Sequence, residues 1–201
     1  LDADKLTGKV VALPQRDDID LTIEEDSFGN IFITKGVAES YPCVTAHFDE
    51  VHLPIDKNII VEGDAIFAET QDGSVVGIGA DDKNGLWIII RLLQKRPILK
   101  AALFVQEEVG CKGSKVCSLN FFTDVPYILA VDRKGETDVV TVGKDVGICS
   151  NDMFPVATLQ KYGYECVVGG RTDVVALKER GLTIPCCNIG CGYYNAHTNE
   201  E

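Results

Sequence analysis

Basic residues are scarce in this 201-residue chain: 19 Lys and Arg face 31 Asp and Glu, leaving a formal charge of −12. A surface of that sign neither neutralises phosphates nor settles on anionic lipid, so nucleic acid and membrane partners are not expected. Long apolar runs are missing too. Stretches such as Leu86 to Ile90 and Tyr127 to Val131 fall far short of the ~20 residues a spanning helix needs, and Leu1-Asp-Ala-Asp does not read as a secretory leader. The expected location is the cytoplasm. The eight cysteines contain no Cys-x-x-Cys pair, so neither a zinc knuckle nor a redox centre is indicated. Cys43, Cys166, Cys186 and Cys187 lie in or beside apolar runs and read as buried reduced thiols; Cys111 and Cys191 lie nearest the polar motifs. Gly77-x-Gly79 lacks the third glycine of a dinucleotide fold, and no Gly-Lys-Ser or Gly-Lys-Thr occurs. Aligning Gly85 as a calcium-loop glycine puts Ala80 at the first ligand position, which cannot ligate.

What the chain does have is an ordinary globular balance, 45% hydrophobic and 25% charged. A chain of this length buries roughly 70% of its unfolded surface, enough to hold a core without metal or disulfide. Any metal would therefore serve chemistry, and residues 1–201 read as one domain. Short apolar runs alternate with helical stretches, the βαβα pattern of a sheet covered by helices. Ile31 to Thr34 and Cys43 to Ala46 read as strands, with Val75 to Ile78 a weaker third. A helix starts at Lys83: Leu86, Ile89, Ile90 and Leu93 share a face, Arg91, Lys95 and Arg96 crowd the C-terminal end, and Pro97 stops it. Ala101 to Val105 and Pro126 to Val131 read as buried strands. Next come a helix around Met153 to Lys161, a strand over Glu165 to Val168, a helix from Thr172 to Arg180 ending at Gly181, and a strand over Ile184 to Ile189.

Five polar clusters fall at the ends of these runs, where ligands gather in open α/β sheets. His47-Phe-Asp49 can offer an imidazole to a metal while Asp49 takes its other N–H, although an H-x-D triplet also suits a structural histidine. His52 lacks such a companion and is set aside. Asp81-Asp82 opens the helix at Lys83, either as capping carboxylates or as a group shared by two cations. Glu107-Glu108 leaves a hydrophobic strand, as a charged exit or as base and ligand side by side. Asp132 ends another apolar run. His197, the third of only three histidines, lies in the turn-rich tail Gly190 to Glu201. Two histidines and three carboxylates, each after a different run, make two three-ligand sets if one carboxylate bridges.

In order, Ala46-His-Phe-Asp-Glu-Val-His52, Gly79-Ala-Asp-Asp-Lys-Asn-Gly85, Glu107-Glu-Val-Gly110, Val131-Asp-Arg-Lys-Gly135, Gly170-Arg-Thr-Asp173 and Asn195-Ala-His-Thr-Asn-Glu200 resemble the di-zinc metallo-exopeptidases. That clan includes bacterial aminopeptidases, peptidase T and carboxypeptidase G. The resemblance implies a zinc-exopeptidase (phosphorylase/hydrolase-like) fold: three-layer α/β/α with a mixed, mostly parallel central sheet. It implies two divalent cations, zinc by preference with cobalt or manganese fitting similar ligands. Asp81 would bridge them, with His47 and Asp132 completing one site and Glu108 and His197 the other. Glu107 would be the general base, Asp49 would orient His47, and the Asp81–Asp82 peptide would be cis. Asp81, Glu107, Glu108 and Asp132 bring −4 to one pocket, which two divalent cations balance.

The sequence departs from peptidase T and carboxypeptidase G at Glu136 to Gly169, only 34 residues where those proteins insert a lid or dimerisation domain. A helper residue from that lid is therefore missing; Tyr194, Arg133 or Arg171 stands in for it. A homo-oligomer remains open, but not through a lid-type domain. The chain starts without Met and stops soon after His197, so terminal helices are expected to be missing from it. The first expectation is an aminopeptidase acting on short peptides, whose free ammonium group the acidic pocket attracts. A carboxypeptidase or N-acyl amino-acid amidohydrolase, with Arg133 or Arg171 holding a carboxylate, is the second. A non-catalytic binding module on the same fold is the third.

Overall fold

The structure, a computed structural model, describes residues 20–52, 54–149 and 161–201. Their principal sheet has nine strands. β1 (Leu21–Glu25) and β2 (Ile31–Lys35) form an antiparallel hairpin, and β2 runs antiparallel to β7 (Leu99–Phe104). From β7 inward, β3 (Cys43–His47), β8 (Ile128–Arg133) and β12 (Cys186–Gly190) are parallel neighbours. β9 (Asp138–Gly143) pairs antiparallel with β12 and with β10 (Val146–Gly147), and parallel with β11 (Glu165–Gly169). The sheet is mixed with a parallel centre, as expected.

Side-chain alternation divides the core into two layers. Leu99, Ala101 and Leu103 of β7 join Ile31, Ile33, Val44 and Ala46 beneath α1 (Ala80–Lys95). Ala102 and Phe104 face the other way, joining Phe32, Cys43 and Ile128 against Phe122 and against Val174, Val175 and Leu177 of α3 (Asp173–Glu179). Helices thus cover both faces, the three-layer arrangement. α1 buries Leu86, Ile89 and Leu93 along one stripe, each worth about 1.5–3 kcal/mol. Its backbone departs from helical angles at Asp81 and Asp82, so the regular helix starts at Lys83, and the Asp81–Asp82 peptide is cis.

Several elements differ from the reading of the sequence. Val75 to Ile78 shrinks to the two-residue β6 (Val75–Val76), which joins β4 (Asn58–Glu62) and β5 (Ala65–Glu69) in a separate three-stranded sheet. That small sheet exposes Ile59, Val61 and Ile66. With neither face fully buried, it lacks the in–out alternation that reveals a strand. α2 (Lys112–Val116) and a 3-10 turn at Leu119–Phe122 were too short to show a period. The stretch Glu136 to Gly169 supplies β9, β10 and β11 to the principal sheet. The expected helix around Met153 to Lys161 lies outside the described residues, apart from Lys161. Cys43, Cys186 and Cys187 are buried as expected, but Cys166 is exposed on β11. Among the described residues no helix is long and apolar enough to cross a membrane.

Candidate metal centre

Because β7, β3, β8 and β12 run parallel, their C-terminal ends share one edge of the sheet, and the polar clusters meet there. His47 is the last residue of β3, and Asp132 lies inside β8 rather than beyond it. The pairing of Thr45 with Ala130 carries forward two residues to set His47 beside Asp132. Glu107 and Glu108 follow β7, His197 stands in the loop after β12, and Asp81 enters from the start of α1, which packs on β3 and β8.

His47 Nε2 lies 3.1 Å from Asp81 Oδ1 and 3.5 Å from Asp132 Oδ1. His197 Nε2 lies 3.4 Å from Asp81 Oδ2 and 2.9 Å from the Glu108 carboxylate. Asp81 therefore offers one oxygen to each histidine. The sets His47–Asp81–Asp132 and Asp81–Glu108–His197 each keep their candidate ligand atoms within 4.8 Å of one another. His47 is fully enclosed, whereas the His197 side chain is half exposed.

Asp49 does more than expected. The His47 ring is held at Nδ1 by the Asp49 backbone carbonyl, 2.9 Å away, while the Asp49 carboxylate is 3.7 Å off. That carboxylate accepts the backbone N–H groups of Glu107 at 2.9 Å and Glu108 at 3.0 Å. It thus fixes the exit turn after β7, where Gln106 takes a positive φ of 58°. Two further residues anchor the site, Asn188, which had no signature in the sequence, and Asp82, which caps the helix as one of the expected readings had it. Asn188 of β12, fully buried, accepts the Asp132 N–H at 3.0 Å and donates to the Asp132 carbonyl at 2.8 Å, pinning that residue from both sides. Asp82 accepts the N–H of His47 at 3.2 Å and of Gly85 at 3.0 Å.

The electrostatics follow from crowding carboxylates in a dry cleft. Burial first, then the Asp132 charge, raises the Glu107 carboxyl from 4.5 to about 7. Burial and Asp81 raise Glu108, and burial raises Asp132. Asp82 and Asp173 are pushed well up, chiefly by burial, with Asp132 and Glu107 respectively adding to it. Burial works against a charged His47, yet hydrogen bonds with Asp132, Asp49 and Asp81 carry its pKa well above the ordinary value. Among the described residues no Lys or Arg pairs with Asp81, Glu107, Glu108 or Asp132. This unbalanced negative charge, with imidazole and carboxylate donors in two sets, fits a pair of divalent cations of the zinc, cobalt or manganese kind.

The three proposed helpers are not drawn into the cluster. Arg133 is held by Asp138 through Nε and Nη2, at 2.9 and 2.7 Å. Arg171 pairs with Glu179, its Nε buried without a partner among the described residues. The Tyr194 side chain is exposed, whereas its neighbour Tyr193 is buried. Burial and the charges of Asp132, Asp81 and Asp82 push the Tyr193 phenol upward. Asp173, within Gly170-Arg-Thr-Asp173, is buried and accepts a hydrogen bond from Ser114 Oγ at 2.6 Å. Cys111 donates its thiol to Glu107 Oε1 at 3.2 Å. Two tyrosines side by side gave the sequence no means of telling which faces inward. His52, set aside earlier for want of a partner, meets Glu201 at 2.5 Å.

Comparison with known proteins agrees with this architecture. The family model of the M42 glutamyl aminopeptidases matches residues 55–157. No curated protein matches the chain in sequence. Among solved structures, a tripeptidase from Staphylococcus aureus subsp. aureus mu50 is similar with a TM-score of 0.76 at 17% identity, covering 98% of this chain and 86% of that one. Aminopeptidase PepT from Bacillus cereus ATCC 10987 gives 0.71 at 16% identity, again over 98% and 86%. The TET1 peptidase of Pyrococcus horikoshii gives 0.66 at 15% identity, over 98% and 88%. At these identities the structural likenesses establish a shared fold.

Proposed function

This chain belongs to the M42 glutamyl aminopeptidase family, and from that premise we propose that it is a two-cation aminopeptidase that trims short peptides from their free amino end. Membership makes it a metallopeptidase hydrolase. The observation that carries the finer reading is the shared carboxylate of Asp81, with Oδ1 at 3.1 Å from His47 and Oδ2 at 3.4 Å from His197. In this reading His47, Asp81 and Asp132 hold one cation, and Asp81, Glu108 and His197 the other. Zinc suits these donors best, with cobalt and manganese as substitutes. When bound, such a pair of cations lowers the pKa of water toward about 7 and polarises a scissile carbonyl.

The chain's own residues supply the rest. Glu107 is the general base: its carboxylate takes a proton from the attacking water and returns it to the leaving amine, a contribution of about 10²–10⁴ in rate. Asp49 is a positioning residue that sets Glu107 and Glu108 through their N–H groups. The acidic character of the pocket favours a substrate presenting an ammonium group. Arg133 and Arg171 are committed to Asp138 and Glu179, which works against their holding a substrate carboxylate. Buried thiols such as Cys43, Cys186 and Cys187 suit a reducing cytoplasm, and residues 1–201 are assigned to one catalytic domain. The P. horikoshii TET1 peptidase can assemble into a tetrahedron or a large octahedral shell; self-association of this chain is part of the proposal, and light scattering on the purified protein tests it.

Metal analysis and a substrate pair test the reading together. Purified protein is expected to hold close to two equivalents of divalent cation and to hydrolyse a free-amine peptide amide with zinc or cobalt added. Turnover of an N-blocked amino acid alone would replace the aminopeptidase by an N-acyl amidohydrolase. Failure to retain any cation would remove the mechanism.

A further inference from the structure

Glu201 and His52 take no part in either ligand set, yet they are tied to it. The Glu201 side chain is almost fully enclosed, with 1% of it exposed. Its Oε1 accepts the backbone N–H of Asp81 at 2.6 Å, and its Oε2 meets His52 Nε2 at 2.5 Å. The His52 ring is itself docked. It lies over Gly77 so closely that a Cβ there would stand 2.1 Å from a ring carbon. Lys57 Nζ donates to the Gly77 carbonyl at 2.7 Å, bracing the same strand end.

Glu201 also belongs to the turn that carries His197. Thr198 donates its N–H and its hydroxyl to the Asn195 carbonyl, at 3.2 and 2.7 Å, and the Glu201 N–H reaches the Thr198 carbonyl at 3.4 Å. One buried carboxylate therefore joins three segments: the loop after β3, the start of α1 with Asp81, and the loop with His197. His197 itself is half exposed and has a positive φ of 66°, and its ring contacts are with Glu108 and Asp81, so the Glu201 tether adds a backbone link between its loop and Asp81.

We propose that Glu201, oriented by His52, is a positioning residue that holds Asp81 and the His197 loop in mutual register, so that the Asp81–Glu108–His197 set is formed before a cation arrives. The inference rests on the two-cation reading above. Partners of this kind behind ligating residues are worth about 10- to 100-fold in metal affinity. The loss should fall mainly on one of the two cations, because His47 and Asp132 are held independently by the Asp49 carbonyl and by Asn188.

The test uses the full chain, stripped of metal and titrated with cobalt(II) against a competing chelator, with the visible absorption of each bound equivalent recorded. In Glu201→Ala one of two equivalents is expected to weaken about 10- to 100-fold with a changed spectrum, while the other, which shares only Asp81 with it, weakens less. Glu201→Gln keeps an oxygen for the Asp81 N–H and is expected to restore the parent spectrum, a rescue that mere loss of packing does not predict. His52→Ala, which frees the Glu201 carboxylate to turn away, is expected to weaken the same equivalent and carries the test if Glu201→Ala does not fold. Unchanged affinities and spectra in folded variants overturn the inference alone. A parent protein that binds fewer than two equivalents overturns the two-cation reading instead.

Discussion

Stripped of divalent cations, this fold is expected to lose stability as the pH climbs from 4.5 through 7. The Glu107 carboxyl sits at about 7 in the folded chain against an ordinary 4.5. Between those values the folded state holds a proton that the unfolded state has released, so each step upward in pH favours unfolding. The protonated state's stability is complete below 4.5 and lost as the pH passes 7. At about 1.4 kcal/mol per tenfold change in proton affinity, this one group accounts for about 3 kcal/mol. For a chain of this size that is a fall of about 6–12 °C in thermal midpoint. Asp82, Glu108, Asp132 and Asp173 are raised as well and act with the same sign. So does His47, whose raised pKa stabilises the fold at low pH. Asp49 is lowered and acts only in more acid solution. Zinc binds the deprotonated carboxylates and the neutral imidazoles, so its presence reverses the slope. Calorimetric melts from pH 4.5 to 8, with chelator and with zinc, measure both trends. A metal-free midpoint that stays level or rises across this window refutes the reasoning.

Other changes separate the roles assigned to single side chains. Glu107→Gln is expected to keep the cations and lower turnover by about 10²–10⁴, whereas Glu108→Gln loses metal as well; paired metal analysis and peptide assays distinguish the two. Asp49→Ala strands the N–H groups of Glu107 and Glu108, at about 1–3 kcal/mol for each one left dry, so urea unfolding should show the loss and activity should fall with it. Asn30 is fully buried, accepts the Val105 N–H at 3.2 Å and donates to Asp26 at 2.7 Å and to the Gly113 carbonyl at 3.2 Å. Asn30→Leu is expected to destabilise by about 1–3 kcal/mol per stranded group, again read from urea unfolding, and an unchanged midpoint contradicts that accounting.

The parallel strands and α1 were legible because burial imposes a period. Leu86, Ile89 and Leu93 mark one helical face, and the apolar run from Ala101 marks a strand covered on both sides. The small sheet of β4, β5 and β6 was not legible, since Ile59, Val61 and Ile66 point into solvent and carry no alternation. The candidate ligand residues stood out because they lie beside runs that the period reveals, and the resemblance to the di-zinc metallo-exopeptidases implied their roles. What stayed hidden was anything that acts through the backbone: Asn188 on Asp132, Asp49 on the two glutamates, Glu201 on Asp81. A side chain that grips a distant N–H leaves no spacing rule in the sequence, because its partner is chosen by the fold rather than by chain separation.

Adjacency in the sequence becomes division of labour at Glu107 and Glu108. Both follow the end of β7 in a turn that begins with the positive φ of Gln106, and Asp49 fixes that turn by gripping both N–H groups from one carboxylate. Glu108 consequently turns to His197, 2.9 Å away, and Glu107 turns to the Cys111 thiol at 3.2 Å, within the field of Asp132. Glu108 lies against an imidazole with 9% of its side chain exposed; Glu107 lies against a thiol in the field of Asp132 and is pushed to about 7. The two glutamates share a chemistry but not their neighbours, and in the proposed mechanism that difference suits one to holding a cation and the other to moving a proton.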